Sequence, residues 1–167
     1  MESSFSKHIL VPFVQSIDAH RFEPALNIAG TSYTYFQLAQ RITAIRQALR
    51  QHSSQDAIAA LAIHDDIDTY ASIFALWMEG KAYVPLHPNQ PLERNKGIIG
   101  QVGTRLILDS AETSPFDALN TSRLKSIGSS LSLTDWVSTS DDQLAYILFT
   151  SGSTGIPKGV TISRRNI

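Results

Sequence analysis

The sequence predicts an α/β fold: a mainly parallel sheet with helices on both of its faces. Strand-like and helix-like segments alternate between residues 57 and 108, which is the pattern of right-handed parallel crossovers. Residues 57–63 are apolar at every position, as expected of a central strand covered on each side. A chain of 167 residues can also bury a hydrophobic core, so one domain is expected.

The N-terminal region predicts a helix followed by a short hairpin. Pro12 suits the first position of a helix that ends before Pro24, because that position needs no backbone N–H. Residues 25–29, a turn at Gly30-Thr31 and residues 32–34 then predict a short hairpin.

A second helix is marked both at its start and along its length. Thr34 and Gln37 have the spacing of a capping box, in which each side chain accepts a hydrogen bond from the other residue's backbone N–H. Apolar residues then recur at helical spacing, at Leu38, Ile42, Ile45 and Leu49.

A third helix follows the central strand. Asp65, Asp66 and Asp68 suit the positive N-terminus of this helix, whereas a metal site would need a distant partner ligand that we do not identify. Gly80 is the expected C-cap. The inner stripe is predicted to consist of Tyr70, Ile73, Phe74 and Trp77.

The remaining elements are a strand at 82–86, a helix from Pro91 to Val102 and a strand at 105–108. Residues 109–142 are rich in Ser and Thr and predict irregular structure, with a strand near 125–127 and a helical turn near Trp136.

Composition excludes several classes of function. A net charge of −1 without a basic patch argues against nucleic acid as a partner. The absence of cysteine excludes disulfides, thiolate catalysis and Cys-ligated zinc. The apolar runs are far shorter than the roughly 20 residues of a membrane helix, and the N-terminus lacks a signal-peptide pattern, so we expect a cytoplasmic protein with no membrane partner. The five histidines show no catalytic pairing and are interpreted as solvated or capping residues.

The main functional signal is a loop within residues 144–160. The apolar run 144–149 predicts a buried strand that leads into glycines and hydroxyls. Glycine permits positive φ, which lets backbone N–H groups point at an anion, and hydroxyls and a lysine add donors. The candidate polyphosphate ligands are Thr150, Ser151, Gly152, Ser153, Thr154, Gly155, Lys158 and Gly159, with Lys158 also the candidate catalytic residue.

This loop differs from the common P-loop, which opens directly into a helix. Here Pro157 precedes Lys158, and residues 159–162 continue as a β-like run, so the sequence predicts a strand-loop-strand hairpin. A flexible Gly/Ser linker would need neither the Pro-Lys-Gly ending nor a strand leading into it, which favours the phosphate site.

Residues 146–160 resemble the signature loop of the adenylate-forming (AMP-binding) enzymes, which include acyl-CoA synthetases, luciferases and the adenylation domains of nonribosomal peptide synthetases. Residues 33–38 and 80–94 resemble two further family segments, and the latter is closest to amino-acid-activating members. The resemblance implies that residues 1–167 are the N-terminal portion of a larger adenylate-forming fold, truncated after the phosphate loop. The chain departs from the family at His87, Phe149 and Arg164, where aspartate, tyrosine and histidine are usual.

The resemblance also implies an activity. The loop would hold the β- and γ-phosphates of ATP while a substrate carboxylate, here of an amino acid, forms an acyl-adenylate and releases pyrophosphate. Mg²⁺ is implied, but its acidic ligand would lie downstream, so no metal ligand is assigned in this chain. The implied partners are a carrier protein with a phosphopantetheine arm and the missing C-terminal portion of the enzyme, without which this chain is expected to be inactive.

The sequence is also compatible with other functions. An acyl-CoA synthetase and a D-alanine-activating ligase are the rival enzymes. A noncatalytic fragment that acts as an interaction module is the rival class, and a large exposed apolar patch beside the loop would favour it.

Overall fold

In the part of the chain that the structure describes, the fold consists of four α-helices and eight strands. The structure is a computed structural model and describes residues 3–125, 133–151 and 157–167. The helices are α1 (Val11–Ala19), α2 (Tyr35–Gln51), α3 (Ile67–Met78) and α4 (Leu92–Val102), and none of the helices in these ranges is long and apolar enough to cross a bilayer. The strands are β1 (Pro24–Ile28), β2 (Thr31–Thr34), β3 (Ile58–Ala62), β4 (Ala82–Leu86), β5 (Ile107–Asp109), β6 (Leu119–Asn120), β7 (Leu144–Thr150) and β8 (Lys158–Ser163). Short helical turns occur at Ser6–Leu10, Thr121–Arg123 and Arg164–Asn166.

Six of the strands form one sheet, in the order β6-β5-β3-β4-β7-β8, while β1 and β2 form a separate antiparallel hairpin. Neighbouring strands from β6 to β7 in this order are parallel. β8 pairs antiparallel with β7 at one edge. The predicted mainly parallel sheet is therefore confirmed.

Helices cover both faces of this sheet, as predicted. Ala59 and Leu61 of β3 belong to a core shared with α1, α2 and α3, whereas Ala60 belongs to a second core shared with Ile98 of α4. The predicted inner residues of α2 are all buried in the first core, at Leu38, Ile42, Ile45 and Leu49. Each large apolar side chain buried in this way stabilises the fold by roughly 1.5–3 kcal/mol. Because the two cores lie on opposite faces, this burial fixes helices to both sides of the sheet.

Side chains cap α2 and α3 as the sequence predicts. The Thr34 hydroxyl accepts a hydrogen bond from Gln37 N at 3.2 Å, and Gln37 Oε1 accepts one from Thr34 N at 2.8 Å. The Asp66 carboxylate accepts from Thr69 N at 2.8 Å. Capping is thus confirmed for Asp66, while Asp68 is buried and pairs with Arg41 at 2.6 Å.

Three helices differ from the predictions: α3 in its inner face, and α1 and α4 in the residue at which they begin. Tyr70 is 41% exposed, because α3 packs among other elements of the first core through small residues such as Ala71 and Ala75. Helical backbone already begins at Ser4, ahead of Pro12. Pro91 is the N-cap of α4 and precedes its first helical residue.

The segment after β5 is mostly irregular, as predicted. The strand β6 and the turn Thr121–Arg123 were not predicted. The predicted turn near Trp136 is wrong, because residues 133–140 contain no helix and Val137 N instead donates to Met78 O at 2.8 Å. Of the predicted strand at 125–127, Lys125 lies in no strand and the rest falls outside the described residues.

Candidate functional site

The candidate loop joins the two strands at the end of the sheet. Thr150 pairs with Lys158 and Phe149 with Gly159, so the predicted strand-loop-strand hairpin is confirmed. Because β7 runs parallel to β4, the loop leaves the sheet at the carboxyl edge of its parallel strands. The chain continues from Lys158 as β8, so the described part of the loop does not open into an α-helix.

The strand that leads into the loop is only partly buried. Ala145 and Ile147 are buried as expected, but Leu148 is 45% exposed. Its partner across the hairpin, Val160, is 49% exposed. An apolar cross-strand pair therefore lies on the surface beside the loop.

Thr150 and Lys158 form the base of the loop. Both are exposed, and Thr150 Oγ1 donates to the Lys158 carbonyl at 3.4 Å. No hydrogen bond or ion pair of the Lys158 ammonium occurs among residues 3–125, 133–151 and 157–167. Ser151 is also exposed. Four further candidate ligands lie outside the described residues: Gly152, Ser153, Thr154 and Gly155. The anion-binding role of the whole set stays a prediction.

Gly159 has a backbone conformation that differs from the predicted one. It lies within β8, and it does not appear among the described glycines with positive φ. A Cβ at this position would lie 3.1 Å from Ile147 Cγ2 and 3.1 Å from Phe149 Cζ. The absence of a side chain therefore lets Phe149 pack across the hairpin, and the prediction that Gly159 turns the backbone through positive φ is wrong.

Arg164, one of the departures from the family, is buried beneath the surface at 1% exposure. Its guanidinium donates to Thr139 Oγ1 at 3.0 Å, to Trp77 O at 3.2 Å and to Lys81 O at 3.3 Å. The Phe5 ring lies 4.8 Å from the guanidinium carbon. Arg164 therefore ties the N-terminal turn and α3 to the segment after β8.

The groups that surround the charged guanidinium of Arg164 are neutral. Its Nε has no hydrogen-bond partner among the described residues. Burial lowers the pKa of the Arg164 guanidinium to about 10, which leaves it charged near neutral pH. The carbonyl oxygens and the aromatic face stabilise that charge. The sequence pattern gave no sign of this contact, because its partners lie far away along the chain.

The start of the N-terminal helical region also forms hydrogen bonds with Asp141, which in turn contacts the residue after Arg164. The Asp141 carboxylate accepts hydrogen bonds from Phe5 N at 3.0 Å and from Ser4 N at 3.1 Å. These bonds, the one from Phe5 first, lower the pKa of the Asp141 carboxyl below its ordinary value. In addition, Arg165 N donates to the Asp141 carbonyl at 2.8 Å.

The fold and the hairpin together define a class of protein. It is an α/β protein whose sheet ends in a loop of glycines, hydroxyls and an exposed lysine, residue types that suit a polyphosphate. The family model described as AMP-binding enzyme matches residues 13–167. The chain therefore belongs to the AMP-binding enzyme family.

Curated relatives include peptide synthetases and a carrier-protein ligase. Cyclosporin synthetase simA from Tolypocladium inflatum is 34% identical over 165 residues, covering 93% of this chain and 1% of that protein. Phenyloxazoline synthase MbtB from Mycobacterium sp. (strain MCS) is 31% identical over 150 residues, covering 87% and 13%. D-alanine--D-alanyl carrier protein ligase from Lactococcus lactis is 30% identical over 148 residues, covering 81% and 29%. The chain thus spans less than a third of each of these proteins.

Solved structures share the fold. The N-terminal subdomain of Klebsiella oxytoca NpsA has a TM-score of 0.75 at 24% identity, with 99% of this chain and 41% of that chain covered. Holo-PA1221, an NRPS protein containing adenylation and PCP domains, has a TM-score of 0.77 at 23% identity, with 98% and 28% covered. The chain therefore shares its α/β fold with the N-terminal subdomain of NpsA and with part of PA1221.

Proposed function

We propose that residues 1–167 are the N-terminal portion of an adenylation domain that activates an amino acid as its adenylate. The observation that carries the proposal is the β7–β8 loop, with its exposed Lys158, in a chain that belongs to the AMP-binding enzyme family. Relatives named as peptide synthetases favour an amino acid over a fatty acid as the substrate.

In the proposed reaction, a carboxylate oxygen of the amino acid attacks the α-phosphorus of ATP. The new O–P bond forms as the bond from the α-phosphorus to the bridging oxygen breaks, and pyrophosphate leaves with the electron pair. Negative charge therefore grows on the leaving group, where fixed donors stabilise it most effectively. Those donors are the Lys158 ammonium and the hydroxyl and backbone N–H groups of Thr150, Ser151, Gly152, Ser153, Thr154, Gly155 and Gly159.

Mg²⁺ is proposed as the counter-ion of ATP, but the described residues do not fit a site for it. Within 3–125, 133–151 and 157–167, no group of three or more histidine and acidic side chains is placed to hold a metal ion. Asp66 caps α3. We therefore derive no step through the metal and propose that its ligands belong to the rest of the enzyme.

The proposed acceptor of the activated amino acid is a carrier protein with a phosphopantetheine arm. PA1221, which shares this fold, is described as containing adenylation and PCP domains, and one relative is named as a D-alanyl carrier protein ligase. We place the reaction in the cytoplasm. Fractionation of cells that express the complete protein would test this location, and recovery in the membrane pellet would contradict it.

ATP–pyrophosphate exchange on the complete protein, with a panel of amino acids and fatty acids, tests the proposal. We expect exchange with an amino acid and none with the 167-residue chain by itself. Mass spectrometry that detects only long-chain acyl-adenylates would instead support an acyl-CoA synthetase. Clear exchange by the 167-residue chain would contradict its role as an incomplete portion.

A noncatalytic interaction module is the second candidate, and the exposed pair Leu148 and Val160 favours it. The double variant Leu148→Ser, Val160→Ser separates the two functions. If the complete protein shows no exchange but forms a complex that this variant abolishes, the interaction role replaces the enzymatic one.

A further inference from the structure

A cleft lies at the carboxyl ends of three parallel strands of the sheet. Its walls include Ala62 at the end of β3, Leu86 at the end of β4 and Asp109 at the end of β5. Its volume is about 190 Å³. None of the residues that line it belongs to β7 or β8. The cleft is thus a separate feature of the same edge of the sheet.

The topology opens the sheet at this point. β3 and β4 are neighbours, but β3 is followed by α3 on one face and β4 by α4 on the other. Where the connections of adjacent strands diverge in this way, a crevice forms outside their carboxyl ends, and α/β proteins commonly bind ligands there.

A histidine held by a buried carboxylate supplies the polar group of the cleft. His64 Nε2 lies 2.8 Å from Asp109 Oδ1, and Asp109 is 2% exposed. Ala111 N donates to the same oxygen at 2.9 Å, and Ser114 Oγ donates to Asp109 Oδ2 at 2.6 Å. The carboxylate is therefore fixed on both oxygens and holds the imidazole in one orientation.

This contact assigns the two ring nitrogens of His64. An ionised carboxylate only accepts hydrogen bonds, so the proton of the neutral ring lies on Nε2 and Nδ1 is an acceptor. The His64 side chain is 26% exposed, and no hydrogen bond of its Nδ1 occurs among the described residues. The imidazole that lines the cleft thus carries an acceptor and is held in one orientation.

The remaining lining sets the size and character of the ligand. Most of the wall is apolar, with Leu86, Leu92 and Phe116 as its largest members. A cavity of about 150 Å³ with such walls can bind benzene, so this cleft fits one ring with a small substituent. Asn95, which is 4% exposed in the wall, has an Oδ1 without a partner in the described part of the chain. That oxygen is itself covered by neighbouring atoms, so His64 is the acceptor that remains for a donor entering the cleft.

We propose that this cleft binds a small single-ring ligand that carries an O–H or N–H donor, with His64 Nδ1 as the acceptor. The site is additional to the proposed ATP loop and does not depend on it. Phenol is the probe, and toluene, of the same size without the donor, is its matched partner. We expect phenol to bind the 167-residue chain with a Kd of about 1–10 mM at pH 8, and toluene to bind about 2- to 12-fold more weakly.

Two variants locate the binding by protein-observed NMR titration. His64→Phe keeps a ring but removes the acceptor, so the ratio of the toluene Kd to the phenol Kd should fall to about one. Ala111→Leu fills the cleft and should abolish the binding of both probes. Its control is Ala57→Leu, the same substitution at an exposed site before β3, which should leave both affinities unchanged.

The proposal is overturned by any of three results: no saturable phenol binding in the wild-type chain, equal affinities for phenol and toluene, or unchanged binding in Ala111→Leu. Because the ratio of two affinities is compared within each protein, a general loss of stability in His64→Phe does not imitate the expected result. Should that variant not fold, the phenol and toluene comparison together with Ala111→Leu still decides the matter.

Discussion

Lys158 and Arg164 are two cations at opposite ends of one short strand, and they differ in burial: Lys158 is exposed to solvent, whereas Arg164 is buried. Lys158 begins β8 and is exposed beside the candidate phosphate loop. Arg164 directly follows β8 and is 1% exposed, with three hydrogen bonds and an aromatic face around it.

This difference separates stability from activity. A buried cation whose neighbours depend on it for hydrogen bonds is costly to remove, whereas an exposed loop lysine contributes little to folding. We therefore expect substitutions at the two ends of β8 to affect different measurements, and four predictions test that separation.

Arg164→Ala should have the largest effect. It removes the donor to Thr139 Oγ1 and one hydrogen bond from each of two carbonyl oxygens, and it opens a cavity, so the free energy of unfolding should fall by about 3–5 kcal/mol. Urea unfolding measures this change. The neighbouring Arg165 forms only an exposed ion pair with Asp142, so Arg165→Ala should cost less than about 1 kcal/mol. Equal losses in the two variants would contradict the structural role of Arg164.

Lys158→Ala should change kinetics and leave folding intact. A hydrogen bond to a charged group is worth roughly 1.5–3 kcal/mol, so kcat/KM for ATP of the complete enzyme should fall about 10- to 150-fold. The thermal midpoint should stay within about 2 °C of wild type. Lys96→Ala, which removes another exposed lysine, serves as the control. Wild-type kinetics would reject the phosphate role.

Thr139→Val probes the surroundings of Arg164 without changing the side-chain shape. It removes the side-chain acceptor at 3.0 Å and should lower the free energy of unfolding by about 1–3 kcal/mol. Thr161→Val, on the exposed part of β8, provides the matched comparison and should change stability by less than about 0.5 kcal/mol. If both variants unfold at the same urea concentration, the Thr139 contact contributes nothing.

Thr150→Val should have the smallest effect on stability. Its hydrogen bond to the Lys158 carbonyl is exposed and 3.4 Å long, so we expect a change below about 0.5 kcal/mol. Because Thr150 is a proposed phosphate ligand, Thr150→Val should nevertheless lower kcat/KM for ATP by about 2- to 12-fold. A variant that unfolds readily but keeps full activity would reverse this assignment.

Local signals in the sequence predicted much of the fold. The capping box at Thr34, the helical spacing of α2 and the apolar β3 each depend on residues close together along the chain, and the structure confirms all three. The hairpin β7–β8 was predicted in the same way, from an apolar run and the residues that follow it.

Other features depend on contacts between distant residues and could not be predicted. The packing of Phe149 over Gly159 requires the strand register, which the hydrophobic pattern alone does not supply. The burial of Arg164 requires Trp77 and Thr139 to lie beside it in the folded chain. The contact between His64 and Asp109 likewise appears only once β3 and β5 are neighbours.

The tie between the N-terminal turn and Asp141 has a consequence for synthesis. Phe5 N donates to a carboxylate 136 positions away, so the turn cannot dock until that residue has been made. At about 5–20 residues per second, a ribosome needs roughly 7–27 s to add that length. During this interval Phe5, which is buried in the folded chain, lacks its contacts with Asp141 and Arg164 and is more open to proteases. In ribosome-bound nascent chains, protection of the N-terminus from proteolysis should therefore begin only after Arg164 emerges.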